Sequence, residues 1–259
     1  MKNKSEHQIT DMNVYLNRMQ KSVLDKLFFI DKVFEPIESI VDFGCANGEL
    51  IKAVHALFGD EYKYYGYDIN PEMVKAAKNN IPFATVVSDW DLLDVQFDKS
   101  LLNISSAIHE VYSYCKPGEI EQFWKRVFKS GFKYISIRDM MVSEHCSANV
   151  DEKEIALVRG EERYAEHLRD YENVWGTIKS QKDLVHFLLK YKYKENWERE
   201  VRENYLGLHL EEFFKLIPSE YEITFSDHFT LPFIAWQVKN DFSIDLKTPT
   251  HIKIILKKS

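Results

Sequence analysis

Short apolar runs alternate with stretches in which apolar side chains recur every three or four residues, and this alternation organises the chain from Ser39 to Ile137. The first run, Ser39-Ile-Val-Asp-Phe43, ends at Gly44 and Gly48 and is followed at helical spacing by Leu50, Ile51, Val54, Leu57 and Phe58. That pattern predicts a strand, a glycine turn and a helix. It repeats with strands over Tyr64 to Ile69, Ala84 to Val87, Ser100 to Ile104 and Tyr134 to Ile137, and with helices over Pro71 to Asn79 and Glu119 to Lys129. Strands that alternate with helices imply a mostly parallel sheet covered on both faces, with ligands at the carboxyl ends of the strands where the strand order reverses. The residues just after each strand therefore carry the interest.

Two flanking regions break the alternation. Before the first strand, Met12, Tyr15, Leu16, Met19, Val23, Leu27 and Ile30 fall on one helical face between Gln8 and Val33, with Asp11 and Ser22 as caps. One or two N-terminal helices are expected there, within a segment 1–36. After Met140 the strand signal vanishes until Ile217, and helical patterns replace it at Glu152 to Val158 and Leu184 to Leu189. Ser180-Gln-Lys-Asp183 resembles a capping box before the second of these. A helical insertion over 142–217 follows, longer than an ordinary connection and suited to a lid or acceptor platform. Strands at Tyr221 to Ser226 and His251 to Leu256, with a helix Pro232 to Asn240 between them, complete the core. The expected fold class is α/β, a single core of 37–141 and 218–259 interrupted by the insertion.

Composition narrows the function classes. A hydrophobic fraction of 45% and a charged fraction of 29% are those of a folded globular chain. The net charge of -7 argues against a surface built as a whole to trap nucleic acid, leaving only local basic patches. No apolar run reaches the roughly 18 residues of a membrane span, and the polar start Met1-Lys-Asn-Lys-Ser-Glu-His7 lacks a signal-type stretch, so a cytoplasmic protein is expected. Three separated cysteines, Cys45, Cys115 and Cys146, suit a reducing compartment, and no metal-ligand set stands near them.

The turn Asp42-Phe-Gly-Cys-Ala-Asn-Gly48 allows the backbone to approach a ligand and aims the next helix's amides at it. Its glycines lack the G-x-G-x-x-G spacing by which dehydrogenases hold a pyrophosphate. The turn instead resembles motif I of the class I S-adenosylmethionine-dependent methyltransferases, D-x-G-C-G-x-G, departing from it at Ala46. Asp68, at the end of the second strand, stands where a carboxylate accepts hydrogen bonds from both ribose hydroxyls.

That resemblance implies a seven-stranded Rossmann-like methyltransferase sheet and S-adenosylmethionine as cofactor, with S-adenosylhomocysteine as product. It places Asp42, Gly44, Cys45, Ala46, Asn47 and Gly48 along the cofactor. Asp89 would accept from the adenine amino group, with Ile69 and Trp90 flanking the ring. Ile104, Ser105 and Ser106 would lie beside the methionine portion, and His109 and Glu110 would face the acceptor, either being a candidate base. Tyr112 and Tyr114 would touch the acceptor, and the N-terminal helices, with Tyr15, Arg18, Met19 and Lys21, would close over the cofactor.

The acceptor itself is not identified by the sequence. A small molecule is favoured by the acidic net charge and the insertion. The alternatives are an RNA or protein substrate met by the face 190–205, which interleaves bases with aromatics, and a cofactor-binding partner without catalysis. Glu195, Glu198, Glu200 and Glu203 nearly balance the bases of that stretch, so intrahelical ion pairs on a solvated face are expected there.

Overall fold

The computed structural model describes residues 22–259. The expected helical positions before residue 22, among them Asp11, Tyr15, Arg18, Met19 and Lys21, lie outside the described residues. A first helix, α1, covers 22–26 of the described chain and passes into a 3-10 turn at Leu27–Phe29, short of the expected end at Val33.

Seven strands form one sheet: β1 Ser39–Phe43, β2 Lys63–Tyr67, β3 Thr85–Val87, β4 Ser100–Ser105, β5 Tyr134–Met140, β6 Tyr221–Phe229 and β7 His251–Lys258. Their spatial order is β3-β2-β1-β4-β5-β7-β6. The first five are parallel, whereas β7 runs antiparallel to both β5 and β6. Reversal of order between β1 and β4 makes their carboxyl ends the crevice of the sheet.

Alternation along each strand builds the two layers. Val41, Leu102, Ile135 and Ile137 face one side and pack on Trp124, Val127 and Phe128 of α5 (Pro117–Lys129). Ile40, Leu101 and Tyr134 face the other and meet Ile51 and Val54 of α2 (Glu49–Phe58) and Val74 and Ala77 of α3 (Pro71–Asn80). Interior strands buried on both faces are why these runs read as continuously apolar. Asn70 Oδ1 accepts from Glu72 N at 2.9 Å to cap α3, whose first residue is Pro71. A short helix, α4 (Ile108–Tyr114), fills the gap between β4 and α5.

Between β5 and β6 lie α6 Glu152–Gly160, α7 Ala165–Trp175, α8 Gln181–Lys190, α9 Trp197–Glu200 and α10 Leu210–Leu216. The Ser180 box forms as expected: Ser180 Oγ accepts from Asp183 N at 3.1 Å, and Asp183 Oδ2 accepts from Ser180 N at 2.9 Å. These helices share a core of Tyr164, Tyr171, Phe187 and Tyr191 with Val238 and Phe242 of α11 (Pro232–Phe242). Phe213 of α10 instead joins the main core against Trp124.

The stretch 190–205 departs from the solvated helix expected of it. It holds the last residue of α8, a 3-10 turn at Lys194–Asn196 and the four residues of α9, and Lys190, Arg199, Glu200 and Glu203 are buried. The charges are satisfied across elements as well as by one local i,i+4 pair. Arg199 pairs with Glu203 and with Glu110 of α4, at 2.7 Å each, and Lys190 Nζ donates to the Glu203 carbonyl at 2.6 Å while lying over the Tyr205 and Trp175 rings. Among the described residues no helix is long and apolar enough to cross a membrane.

Candidate functional site

The site begins where β1 ends. Gly44, Ala46 and Gly48 all take positive φ, at 72°, 47° and 84°, which folds the turn tightly across the end of the sheet. A side chain at Gly48 would also meet Ile81, whose Cδ1 lies 2.6 Å from the place of a Cβ. Ala46 accepts the left-handed conformation at the one position where the sequence departs from the motif it resembles, and an L-residue pays for that. What the turn gains is an aimed donor: Ala46 N–H reaches Asp68 Oδ2 at 2.9 Å, while Asn70 N–H reaches Oδ1 at 2.8 Å. The ends of β1 and β2 are thereby tied through one carboxylate. Burial pushes the Asp68 carboxyl up, and the two N–H donors pull against that shift.

Beneath the turn, Asp42 and Asn103 face each other across β1 and β4. Asn103 Nδ2 donates to Asp42 Oδ1 at 2.7 Å, and Ser105 Oγ donates to Asn103 Oδ1 at 3.2 Å. Burial pushes Asp42 up to about 6 despite the Asn103 hydrogen bond and the positive charge of Lys26. The Cys45 thiol packs against Gly66 of β2, where a Cβ would come within 2.8 Å of the sulfur. Asn47 Oδ1 is buried without a hydrogen-bond partner among the described residues.

At the ends of β4 and β5 the side chains turn polar. Ser106 has φ 57°, its N–H donates to the Arg138 carbonyl at 2.8 Å, and its hydroxyl accepts from Arg138 Nη1 at 3.1 Å. Arg138 also pairs with Asp25 of α1 at 2.8 Å. The next residue, Asp139, is wholly buried, accepts from Ile108 N at 2.7 Å and bonds His109 Nδ1 at 2.8 Å. Burial alone would lower the His109 pKa, but the Asp139 charge and hydrogen bond outweigh it and push it up to about 9. Burial likewise opposes ionisation of Asp139, and His109 with the backbone N–H groups of Met140 and Ile108 holds its carboxyl below the usual range. Tyr205, from the helical segment, sets its ring edge-on to His109 with centroids 5.3 Å apart.

Several of the expected site residues make contacts within the protein itself. Trp90 is buried among Phe43, Tyr67 and Phe132 in the main core. Ile69, expected opposite it, is 77% exposed. Ile104 is fully buried in the same core. Tyr112 accepts from Trp124 Nε1 at 3.1 Å and Tyr114 donates to Glu203 at 2.8 Å, so both hydroxyls serve internal contacts. Asp89 is exposed and caps a 3-10 turn by accepting from Asp91 N at 3.1 Å. Glu110 is engaged by Arg199.

Four site residues escaped the sequence reading. Arg138 and Asp139 follow the last expected strand residue, Ile137, and attention to strand ends finds them once β5 is extended to Met140. Asn103 hides inside an apolar run, and Lys26 sits on the N-terminal helix. Among the described residues no group of three or more His, Cys, Asp or Glu side chains is arranged to hold a metal ion.

The donor set fits an adenosyl ligand. A carboxylate at Asp68, a tight turn with positive φ at 44, 46 and 48, an unpartnered buried acceptor at Asn47 and acidic groups beneath suit ribose hydroxyls and a positively charged sulfur.

Residues 40–130 match the family model described as a methyltransferase domain. No curated protein matches the chain in sequence. Among solved structures, an S-adenosylmethionine-dependent methyltransferase from Mesorhizobium loti is 14% identical with TM-score 0.50, over 89% of this chain and 96% of its own. The protein PKMT2 from Rickettsia typhi, in complex with AdoHcy, is 11% identical with TM-score 0.51, over 90% of this chain and 52% of its own.

Proposed function

We propose that this chain, which carries a class I S-adenosylmethionine-dependent methyltransferase domain, moves the methyl group of that cofactor to a small-molecule acceptor lying beside His109. The observation that carries the acceptor half of the reading is the buried His109–Asp139 pair at the crevice between β4 and β5. S-adenosylmethionine, when bound, supplies a methyl group already activated for displacement by its sulfonium.

The protein's own work is positioning and proton handling. Asp68 would hold the ribose and the 44–48 backbone would border the methionine portion, with Asp89 within the adenine side of the crevice. In its neutral form, which predominates only above about pH 9, His109 would donate Nδ1–H to Asp139 and leave Nε2 to take the proton of a hydroxyl or ammonium acceptor, the resulting imidazolium being stabilised by the carboxylate. Glu110, held by Arg199, is the less available base. The helices of 142–217 would act as the lid: Tyr205 packs on His109, and Arg199 and Glu203 tie the segment to α4.

Burial of Lys190 and Arg199 favours a small molecule over a nucleic acid bound on the 190–205 face. Incubation with labelled S-adenosylmethionine and a fractionated extract tests the choice. Label in small molecules supports this reading, label in RNA or protein overturns its acceptor half, and binding without turnover on any fraction overturns catalysis.

A further inference from the structure

Lys26, at the end of α1, brings an ammonium into the cofactor crevice. It is 7% exposed and borders a space of about 20 Å3 with Val23, Asp42, Gly44, Glu49 and Ser105. No hydrogen bond or ion pair engages its side chain among the described residues. Burial, and then the charge of Arg138, pull its pKa down to about 8, against Asp42, Asp139 and Glu110, which hold it up. An ammonium so far removed from water gains from any anion brought within hydrogen-bond reach of it.

The other cations of the crevice are already engaged. Arg138 pairs with Asp25 and bonds Ser106, His109 pairs with Asp139, and Arg199 is shared by Glu110 and Glu203. Acidic groups otherwise dominate, with Asp42, Asp68, Glu110 and Asp139 around the strand ends. Such a lining suits the sulfonium and α-ammonium of S-adenosylmethionine. It repels the α-carboxylate, the one anionic group the cofactor carries, unless a cation is set against it.

We propose that Lys26 receives the α-carboxylate of the cofactor's methionine portion, which makes the helix before β1 a working wall of the cofactor site. The assignment rests on the methyltransferase reading above. Its flexible four-carbon stem lets the ammonium follow the carboxylate as the narrow space fills.

Calorimetric titration with two ligands tests it: S-adenosylhomocysteine, and 5′-methylthioadenosine, which keeps the base, ribose and sulfur but lacks the amino-acid portion. Lys26→Met is expected to weaken S-adenosylhomocysteine by at least about tenfold and to leave 5′-methylthioadenosine within about twofold of wild type. Lys26→Arg, which retains the charge, is expected to keep most of the affinity for S-adenosylhomocysteine. Because the Lys26 charge also favours ionised Asp42, the melting temperature of the free Lys26→Met protein is measured alongside, and the two titrations are compared on protein that remains folded. Equal loss of both ligands, or no loss of either, would overturn the assignment while leaving the methyltransferase reading in place. Wild-type protein that binds neither ligand would overturn the cofactor reading and this assignment with it.

Discussion

His109 Nδ1 lies 2.8 Å from Asp139 Oδ1, and the carboxylate that holds it also accepts the N–H of Ile108, so one buried side chain fixes both the start of α4 and the charge of the imidazole. The folded-state pKa of about 9 stands above the ordinary 6.5. The pair's contribution to stability is therefore complete below pH 6.5 and is lost as pH rises through about 9. If His109 is the base, turnover rises over that same window, because only the neutral ring accepts a proton. Asp139→Asn should move the inflection of the pH–rate profile toward acid and destabilise the fold by about 3–5 kcal/mol. A profile unchanged by Asp139→Asn in protein that remains folded would remove His109 from proton transfer.

Asp68 is expected to decide cofactor binding. S-adenosylhomocysteine should raise the melting temperature of the wild type, and Asp68→Ala should abolish the shift. The same substitution strips the buried Ala46 N–H of its acceptor, so the free protein should lose about 1–3 kcal/mol. A ligand-induced shift that survives in Asp68→Ala would place the ribose elsewhere.

Ala46 offers a prediction of opposite sign. Its φ of 47° is a conformation that glycine adopts freely. Ala46→Gly should stabilise the protein by about 1 kcal/mol, seen as a rise on the order of 2–4 °C in Tm, with the Ala46 N–H still aimed at Asp68. Gly48→Ala should do the reverse, since the added methyl meets Ile81 as well as a positive φ. Equal melting temperatures for Ala46→Gly and wild type would argue that the turn relaxes around Ala46.

Arg199 joins two carboxylates from different parts of the chain. Burial, with Glu200 and Glu110 nearby, pushes Glu203 up to about 7 while Arg199 opposes the shift. Arg199→Met should cost about 3–5 kcal/mol by leaving the buried Glu203 without its ion pair. Glu203→Gln in the Arg199→Met background should recover part of that loss. Additive losses in denaturant titrations of the single and double variants would mean that the two residues do not act as a pair.

The core of the fold was legible because its strands are apolar runs stopped by glycine or an acidic residue, and burial on both faces leaves little room for any other pattern. Asp42 and Asp68 were legible for the same reason, as polar residues at strand ends. The rest depended on contacts that local pattern does not encode. Asp139 fell just beyond the point where β5 appeared to stop, and Lys26 acquires its meaning only from Asp42 and Ser105, which other elements bring beside it. In 190–205 the balance of lysine and glutamate mimics a solvated helix, although the true partners Glu110 and Tyr114 come from α4. Trp90 shows the converse: a ring next to a binding-motif residue was claimed by the core because Phe43, Tyr67 and Phe132 were there to pack on it.

Strand β7 lies between β5 and β6, pairing Tyr134 with Lys257 on one side and Tyr221 with Lys258 on the other. Strand β6 consequently has no partner in the sheet until β7 is in place, and β7 has no parallel neighbour to template it. Assembly has an order: the β3-to-β5 half can form from near-neighbour βα units, whereas the far edge waits for a closure that spans the whole helical segment 142–217. Pairings of such long sequence separation are slow to form. The half of the molecule that carries Asp42 and Asp68 is thus expected to fold first, with the Tyr205 ring expected to reach the His109–Asp139 pair afterwards.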